Sequence, residues 1–166
     1  MNTEIIQEYI DKQAIQEVLA RYSICVDTGD TAGFAALFTE DALWEWEGAD
    51  LLFCGRKSLK QIAEAVATHA IGGQHAISNT VITNIDGNQA QSICQLSCFL
   101  SKPEQIYSVM LGFYEDELTK VDEKWLISHR RVRIANPEIL EQGKLGEYFA
   151  PLGVALAQIK MASPHG

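Results

Sequence analysis

The feature that most constrains this chain is the stretch 74–134, where four alternating segments (74–85, 89–100, 107–119 and 124–134) follow one another with little more than a turn between them. Alternation with a period of two is the signature of a strand, and connections this short join antiparallel neighbours. Asp86-Gly87-Asn88 and Val121-Asp122-Glu123 read as tight hairpin turns, and 101–105, with Pro103, as a slightly longer one. Such a meander has to bury one face, so the preceding residues must supply its cover.

Residues 3–26 begin that cover. Ile6, Ile10, Ile15, Val18, Leu19, Tyr22 and Val26 recur mostly at intervals of three, four or seven, which predicts an amphipathic helix, with a break expected near Asp11. Gly29 ends it, and Asp30 is placed to cap a short second helix through Phe34 and Leu37. Residues 42–47 alternate through Leu43, Trp44, Glu45 and Trp46, and after the Gly48-Ala49-Asp50 turn residues 51–54 offer a hairpin partner. Ser58 is expected to cap a third helix carrying the stripe Leu59, Ile62, Ala63 and Val66, and Gly72-Gly73 marks its exit. The expected class is α+β, with three N-terminal helices packed on a curved, mostly antiparallel sheet. One domain spans 1–136. The remainder, 137–166, follows Asn136-Pro137 and loosens around Gly143, Gly146, Pro151, Gly153 and Pro164. It is too apolar for a solvated linker, so it is expected to cover a pocket or pack on a neighbouring subunit.

Composition bounds the partners. A 166-residue chain with 47% hydrophobic and 21% charged residues can bury a real core. Its 22 acidic residues against 13 basic ones, a net charge of -9, argue against nucleic acid, which demands cations to replace its counterions. No apolar run is long enough to span a bilayer and residues 1–10 do not resemble a targeting leader, so the expected location is cytoplasmic and no membrane is involved. Cys25, Cys54, Cys94 and Cys98 are expected as free thiols. Cys94 and Cys98 share a strand face roughly 13 Å apart, too far for a disulfide. No His-x-His, His-Glu-x-x-His or Cys-x-x-Cys pattern points to a metal, and neither a Gly-rich phosphate loop nor Gly-x-Ser-x-Gly is present, so no cofactor is expected.

On the strand 74–85, the face His75, Ile77, Asn79, Val81, Thr83 and Ile85 is the more apolar and is expected to point inward. A buried imidazole and amide each need a partner. Asp27, closing the first helix, suits His75: it would hold one ring nitrogen protonated and leave the other as a base. Tyr22, five residues earlier, either packs the core or turns its hydroxyl to a substrate oxygen. Trp44 and Trp46 share one side and either wall a pocket or fill the wide end of the domain. Arg130, Arg131 and Arg133, with His129, read as a surface or subunit-interface ladder in preference to an anion pocket. His69 sits where a helix C-terminus favours positive charge, and His165 carries no inference.

The stretch Arg21-Tyr22-Ser23-Ile24-Cys25-Val26-Asp27-Thr28-Gly29-Asp30, followed by Phe34-Ala35-Ala36-Leu37-Phe38-Thr39-Glu40-Asp41-Ala42, resembles the opening of SnoaL-like, polyketide-cyclase-type domains of the nuclear transport factor 2-like superfamily. Gln74-His75-Ala76-Ile77-Ser78-Asn79 resembles that family's strand bearing a pocket histidine, and Lys124-Trp125-Leu126-Ile127-Ser128-His129-Arg130 its final strand. The resemblance covers roughly residues 10–134 and implies a cone-shaped α+β barrel. Scytalone dehydratase and hexachlorocyclohexane dehydrochlorinase, in that superfamily, pair a helix-borne aspartate with a strand-borne histidine, and Asp27 and His75 occupy the matching positions. A second histidine, expected on 89–100 from scytalone dehydratase, is absent.

The resemblance thus implies a cofactor-independent lyase or isomerase, dehydratase- or cyclase-like, acting on a hydrophobic cyclic small molecule of polyketide, steroid or aromatic type. The catalytic candidates are Asp27 and His75; the substrate-binding candidates are Tyr22, Trp44, Trp46 and Asn79. The same cone also serves as the small subunit of ring-hydroxylating oxygenases, so a non-catalytic ligand-binding or assembly role is the alternative. Sheet-face packing predicts a homodimer or homotrimer.

Overall fold

The computed structural model describes residues 3–47, 51–135, 138 and 141–162. The predicted turn at 48–50, the Asn136-Pro137 step, Pro164 and His165 lie outside the described residues. Helix α1 (Thr3–Thr28) is followed by α2 (Thr31–Ala36), strands β1 (Phe38–Glu47) and β2 (Leu51–Cys54), α3 (Gly55–His69), the meander β3 (Gly73–Asp86), β4 (Gln89–Ser101), β5 (Ile106–Val121) and β6 (Lys124–Ile134), and finally α4 (Gly143–Ala162). The strands form one sheet in the order β2-β1-β6-β5-β4-β3. Only β1 and β6 run parallel; every other pairing is antiparallel. The sheet is curved but open, so the barrel implied by the family resemblance is not closed: β2 and β3 are its two edges.

Helix α1 is continuous through Asp11, against the expected break. The aspartate is tolerated there because it faces the core and is paired: Lys120 Nζ lies 2.7 Å from Oδ1, and Trp125 Nε1 donates to the same oxygen at 2.9 Å. The end is a left-handed glycine stop. Gly29 has φ +73°, the Asp30 amide donates to the Cys25 carbonyl at 2.9 Å and the Gly29 amide to Val26 at 3.3 Å, so the last carbonyls are satisfied. Asp30 then caps α2 by accepting from the Gly33 amide at 2.8 Å. A side chain at Gly33 would bring its Cβ within 2.1 Å of that carboxylate, so a larger residue there has to displace the cap. Ser58 is not a cap: α3 starts three residues earlier, at Gly55, and Ser58 is buried within it.

The helices cover the concave face. Ile15 and Leu19 from α1, Phe34 from α2 and Leu59 from α3 meet Phe38, Phe53, Leu96, Leu100, Leu118 and Ile127, all essentially without solvent contact. Burial on that scale is the main stabilising term. Two irregularities reset which residues face inward. In β3 the register shifts between Ser78 and Val81, with Asn79 at φ +50°, so Val81 is 53% exposed and Ile82 turns in, contrary to the expected inward row. In β6 the pairing passes from Leu118↔Ile127 to Glu117↔His129, leaving Ser128 as an extra residue. This bulge inverts the alternation after Ile127 and sends Arg130 into the core.

The segment expected to loosen after 137 is instead helical over Gly143–Ala162 despite Pro151 in its interior. Proline deletes one backbone donor, which is why its presence argued against a helix. Leu145, Leu152 and Leu156 are its buried positions, and α4 packs chiefly on α3. All four cysteines are free, Cys94 and Cys98 buried.

Candidate active site

Asp27 lies in the last turn of α1, where the helix dipole disfavours a carboxylate by roughly 0.3–1 kcal/mol. Two hydrogen bonds from β3 offset that cost. Its Oδ2 accepts from the His75 backbone N–H at 2.8 Å, and its Oδ1 lies 2.6 Å from His75 Nδ1. A carboxylate oxygen only accepts, so Nδ1 carries the proton and Nε2 is left with a free lone pair. The two side chains are 17% and 16% exposed, partly sealed but reachable.

Both residues line a cavity of about 250 Å³. Its wall is mostly apolar: Val26, Ile62, Ala63, Val66, Val109, Met110 and Val132, with Phe149, Leu152 and Leu156 contributed by α4. Cys98, paired with His75 across the β3–β4 ladder, also faces the space. Burial, reinforced by the Asp27 charge, pushes its thiol well above the usual range, so it is a neutral S–H and not a nucleophile.

Beside Asp27 and His75 the cavity is floored by Tyr22, Trp44, Trp46 and Tyr114. Trp44 Nε1 donates to the Tyr22 hydroxyl at 3.2 Å, and the Tyr22 and Tyr114 rings meet edge to face with centroids 5.4 Å apart. Behind the rings sits Arg130, fully buried, its guanidinium carbon 3.9 Å from the centroid of Tyr22 and 4.1 Å from that of Tyr114. Asp116 holds it in a two-point fork, with Nε to Oδ1 at 2.6 Å and Nη2 to Oδ2 at 2.8 Å. Burial opposes the Arg130 charge, but Asp116 outweighs it and keeps the cation formed. Burial likewise raises both phenols, Tyr114 the further, so each stays protonated and able to donate.

Of the residues the sequence singled out, Asp27, His75, Tyr22, Trp44 and Trp46 share this one cavity. Asn79 does not: the bulge that gives it a positive φ turns its amide outward, where it donates to Gln95 Oε1 on the exposed sheet face. The basic ladder holds for His129, Arg131 and Arg133, which pair with Glu45 and Glu115 on the outer face, but not for Arg130. His69 ends α3 as its last-turn basic residue. Tyr114 and Cys98 were not among the site candidates; the tail was expected to cover a pocket or pack on a neighbouring subunit, but no site residue was named in it. Asp116 was the available signal: an acid alternating with Tyr114 and Leu118 on an apolar face demands a buried cation, and β6 is the strand that can supply one.

Residues 7–131 match the SnoaL-like domain family. The chain belongs to that family. No curated protein matches the sequence. Among solved structures, this SnoaL-like chain is similar to Rv3472, a function-unknown protein from Mycobacterium tuberculosis, with 26% identity, a TM-score of 0.83, and 93% of this chain and 94% of that one covered. It is also similar to a putative scytalone dehydratase from Novosphingobium aromaticivorans, at 24% identity and TM-score 0.68 over 77% of this chain and 86% of that one. A third similar structure is the beta subunit of a putative aromatic-ring-hydroxylating dioxygenase from the same organism, at 19% identity and TM-score 0.67, covering 76% and 90%. The fold is shared with an NTF2-like protein with a cystatin-like fold from Novosphingobium aromaticivorans, at 17% identity and TM-score 0.74 over 87% of this chain and 92% of that one. No helix among the described residues is long and apolar enough to cross a membrane, and no cluster of described His, Cys, Asp and Glu has the makings of a metal site.

Proposed function

We propose that this SnoaL-like chain is a lyase or isomerase in which His75, oriented by Asp27, takes a proton from a hydrophobic cyclic substrate. The observation that carries the reading is the pair of hydrogen bonds that Asp27 accepts from His75, which commits Nδ1 and leaves Nε2 as the free base beside an apolar cavity. Asp27 then stabilises the imidazolium as it forms, with Oδ1 already 2.6 Å from Nδ1. Proton transfer of this kind needs no cofactor. A cavity of about 250 Å³ exceeds the ~150 Å³ that holds benzene and falls below the range of drug-sized sites, which suits one or two fused rings. Helix α4, with Phe149, Leu152 and Leu156 in the wall, serves as the cover that keeps water from the reacting carbon.

A screen of cyclic ketones and alcohols for ligand-induced thermal stabilisation identifies candidate substrates. Deuterium uptake and product formation are then followed on the hits. Wild-type protein is expected to catalyse both, and Asp27→Asn and His75→Ala to lose them while staying folded. Full turnover by either variant would overturn the assignment.

The alternative is an assembly subunit, and the open sheet face favours it: Leu111 is 48% and Val81 53% exposed there, apolar surface suited to a neighbouring chain. A second copy, giving a homodimer or homotrimer, fits the same face. Light scattering separates monomer from oligomer, and copurification with an iron–sulfur oxygenase component would favour the assembly role over catalysis.

A further inference from the structure

Helix α1 changes its apolar side part-way along. From Asp11 onward the buried residues Asp11, Ile15, Leu19, Tyr22, Ser23 and Val26 lie on one arc, as a helix packed on a sheet requires. Residues 3–10 precede that burial and are exposed throughout, so the first two turns of α1 run beyond the core. Ile10 and Ile15 are five apart, a step that carries the apolar row about 140° around the axis. Ile5, Ile6, Tyr9 and Ile10 therefore occupy the arc that Gln13, Gln16, Ala20 and Ile24 continue, the one α1 keeps turned to solvent. Glu4 and Glu8 take the core-side arc in their place. Ile6 and Ile10, which the sequence places in the packing stripe, thus belong to a second, outward stripe.

Ile5, Tyr9, Ile10 and Ile24 are each more than half exposed, and Ile6 more than a third. Together they present on the order of 500 Å² of apolar side chain on one helix face, and two such faces reach the ~1,000 Å² at which a specific interface begins. We propose that this face is a homodimer interface, in which α1 packs antiparallel on α1 of a second copy about a twofold axis level with Ala14 and Ile15. The spacing supplies the fit. In that register Ile5 lies opposite Ile24 of the second copy, Tyr9 opposite Ala20, and Gln13 opposite Gln16, and the twofold repeats each pair. Apolar ends meet apolar ends, and the largest side chain on the face meets the smallest. At the centre Gln13 donates to Gln16 of its own chain at 3.2 Å, which leaves both amides with further donors and acceptors for those of the second copy.

Charge does not oppose the pairing. Glu17 and Arg21 flank one side of the face, Glu8 and Lys12 the other, and each acid is closed on its own base, with Lys12 Nζ 2.6 Å from Glu8 and Arg21 Nη2 2.5 Å from Glu17. Both rims are therefore locally neutral on a chain whose net charge is -9. A lipid surface is the poorer fit, because a helix lying on one sets an excess of Lys and Arg beside its apolar face. None of these residues lines the cavity, so the interface is independent of the acid/base reading, and it lies apart from the open sheet face of the assembly reading.

Sedimentation velocity on the full chain, from about 1 to 100 μM, reads the association. The mass is expected to rise with concentration from 18.4 kDa towards twice that value. The midpoint should fall at about 10 μM, as suits an interface at the small end of the range. Tyr9→Glu and Ile5→Glu should each weaken association roughly tenfold or more and leave the circular dichroism spectrum unchanged, because both side chains are exposed in the monomer. Leu111→Glu, on the sheet, should leave association intact. An oxidised equimolar mixture of Tyr9→Cys and Ala20→Cys chains should yield a disulfide between positions 9 and 20 of different copies, identified by peptide mass spectrometry. Associated chains that never form this link overturn the antiparallel register. A chain that stays monomeric over the whole range, or an association that Tyr9→Glu spares and Leu111→Glu abolishes, overturns the proposal. So does flotation of the wild-type chain with phosphatidylcholine–phosphatidylglycerol vesicles that Tyr9→Glu abolishes, which would give the face to a lipid surface.

Discussion

Helix α1 sends two aspartates into the interior, and they do different things. Asp11 meets Lys120 and Trp125 from the β5–β6 end of the sheet, with Gln7 donating to its other oxygen at 3.3 Å. Asp27 meets His75 twice. Each carboxylate is satisfied, so burial and pairing do not distinguish them. The partner does. The lysine ammonium and the indole N–H only donate, so neither of these Asp11 partners can take up a proton in its turn. Histidine both donates and accepts, and the nitrogen it has left lies beside the cavity. A buried carboxylate is a stitch when its partners end with it, and a site when the partner carries on into open space.

The largest expected effect breaks that comparison on the Asp27 side. Asp27→Asn keeps the shape but replaces the acceptor toward Nδ1 with a group that can donate, so the ring loses its preferred tautomer. Turnover is expected to fall by about 10²–10⁴, the usual worth of a positioned base, with little change in thermal midpoint. Asp116→Ala is the next largest and falls on folding. It strands the fully buried Arg130 cation, at a cost of about 3–5 kcal/mol in denaturant unfolding.

Asp11→Asn should come below that, at about 1–3 kcal/mol, with turnover per folded molecule unchanged. Its pH behaviour sharpens the contrast. Burial works to raise the Asp11 pKa, but Lys120, Trp125 and Gln7 outweigh it and leave it below the ordinary carboxylate value. A lowered folded-state pKa contributes stability that is present in full above the unfolded value and lost as pH falls through the folded one. The wild-type acid limb below about pH 4 should therefore be steeper than that of Asp11→Asn, as an acid titration followed by circular dichroism would record. Equal limbs would make Asp11 a bystander.

How much of this was legible follows from which signals are local. The end of α1 and the cap of α2 were readable because Gly29 and Asp30 act within a turn of themselves, whereas Ser58 did not mark the start of α3. Asp27 and His75 were brought together by the family resemblance and by the strand face that carries His75. Arg130 was misassigned because one extra residue, Ser128, inverts every face beyond it, and bulges leave little local trace in a sequence. Helix α4 was hidden by Pro151 and its glycines, whose local preferences oppose the helix that packing on α3 imposes. Cavity size was beyond reach for a different reason: it depends on how side chains from α1, α3, α4 and the meander meet.

Asn79 supplies the smallest and most local test, one that asks whether the bulge or the helix-end carboxylate fixes His75. At φ +50° an asparagine is tolerated, a glycine comfortable and a β-branched residue strained. Asn79→Gly should leave unfolding free energy within about 0.5 kcal/mol of wild type, since the bond to Gln95 that it loses is exposed. Asn79→Val should cost about 1–3 kcal/mol. Neither should alter turnover if Asp27 alone positions the imidazole, because the two hydrogen bonds to His75 are made four residues upstream of the bulge. A loss of turnover in Asn79→Val that Asn79→Gly does not share would instead show that strand geometry beyond the bulge reaches back to the ring, and the division between stitch and site would then have to include β3 itself.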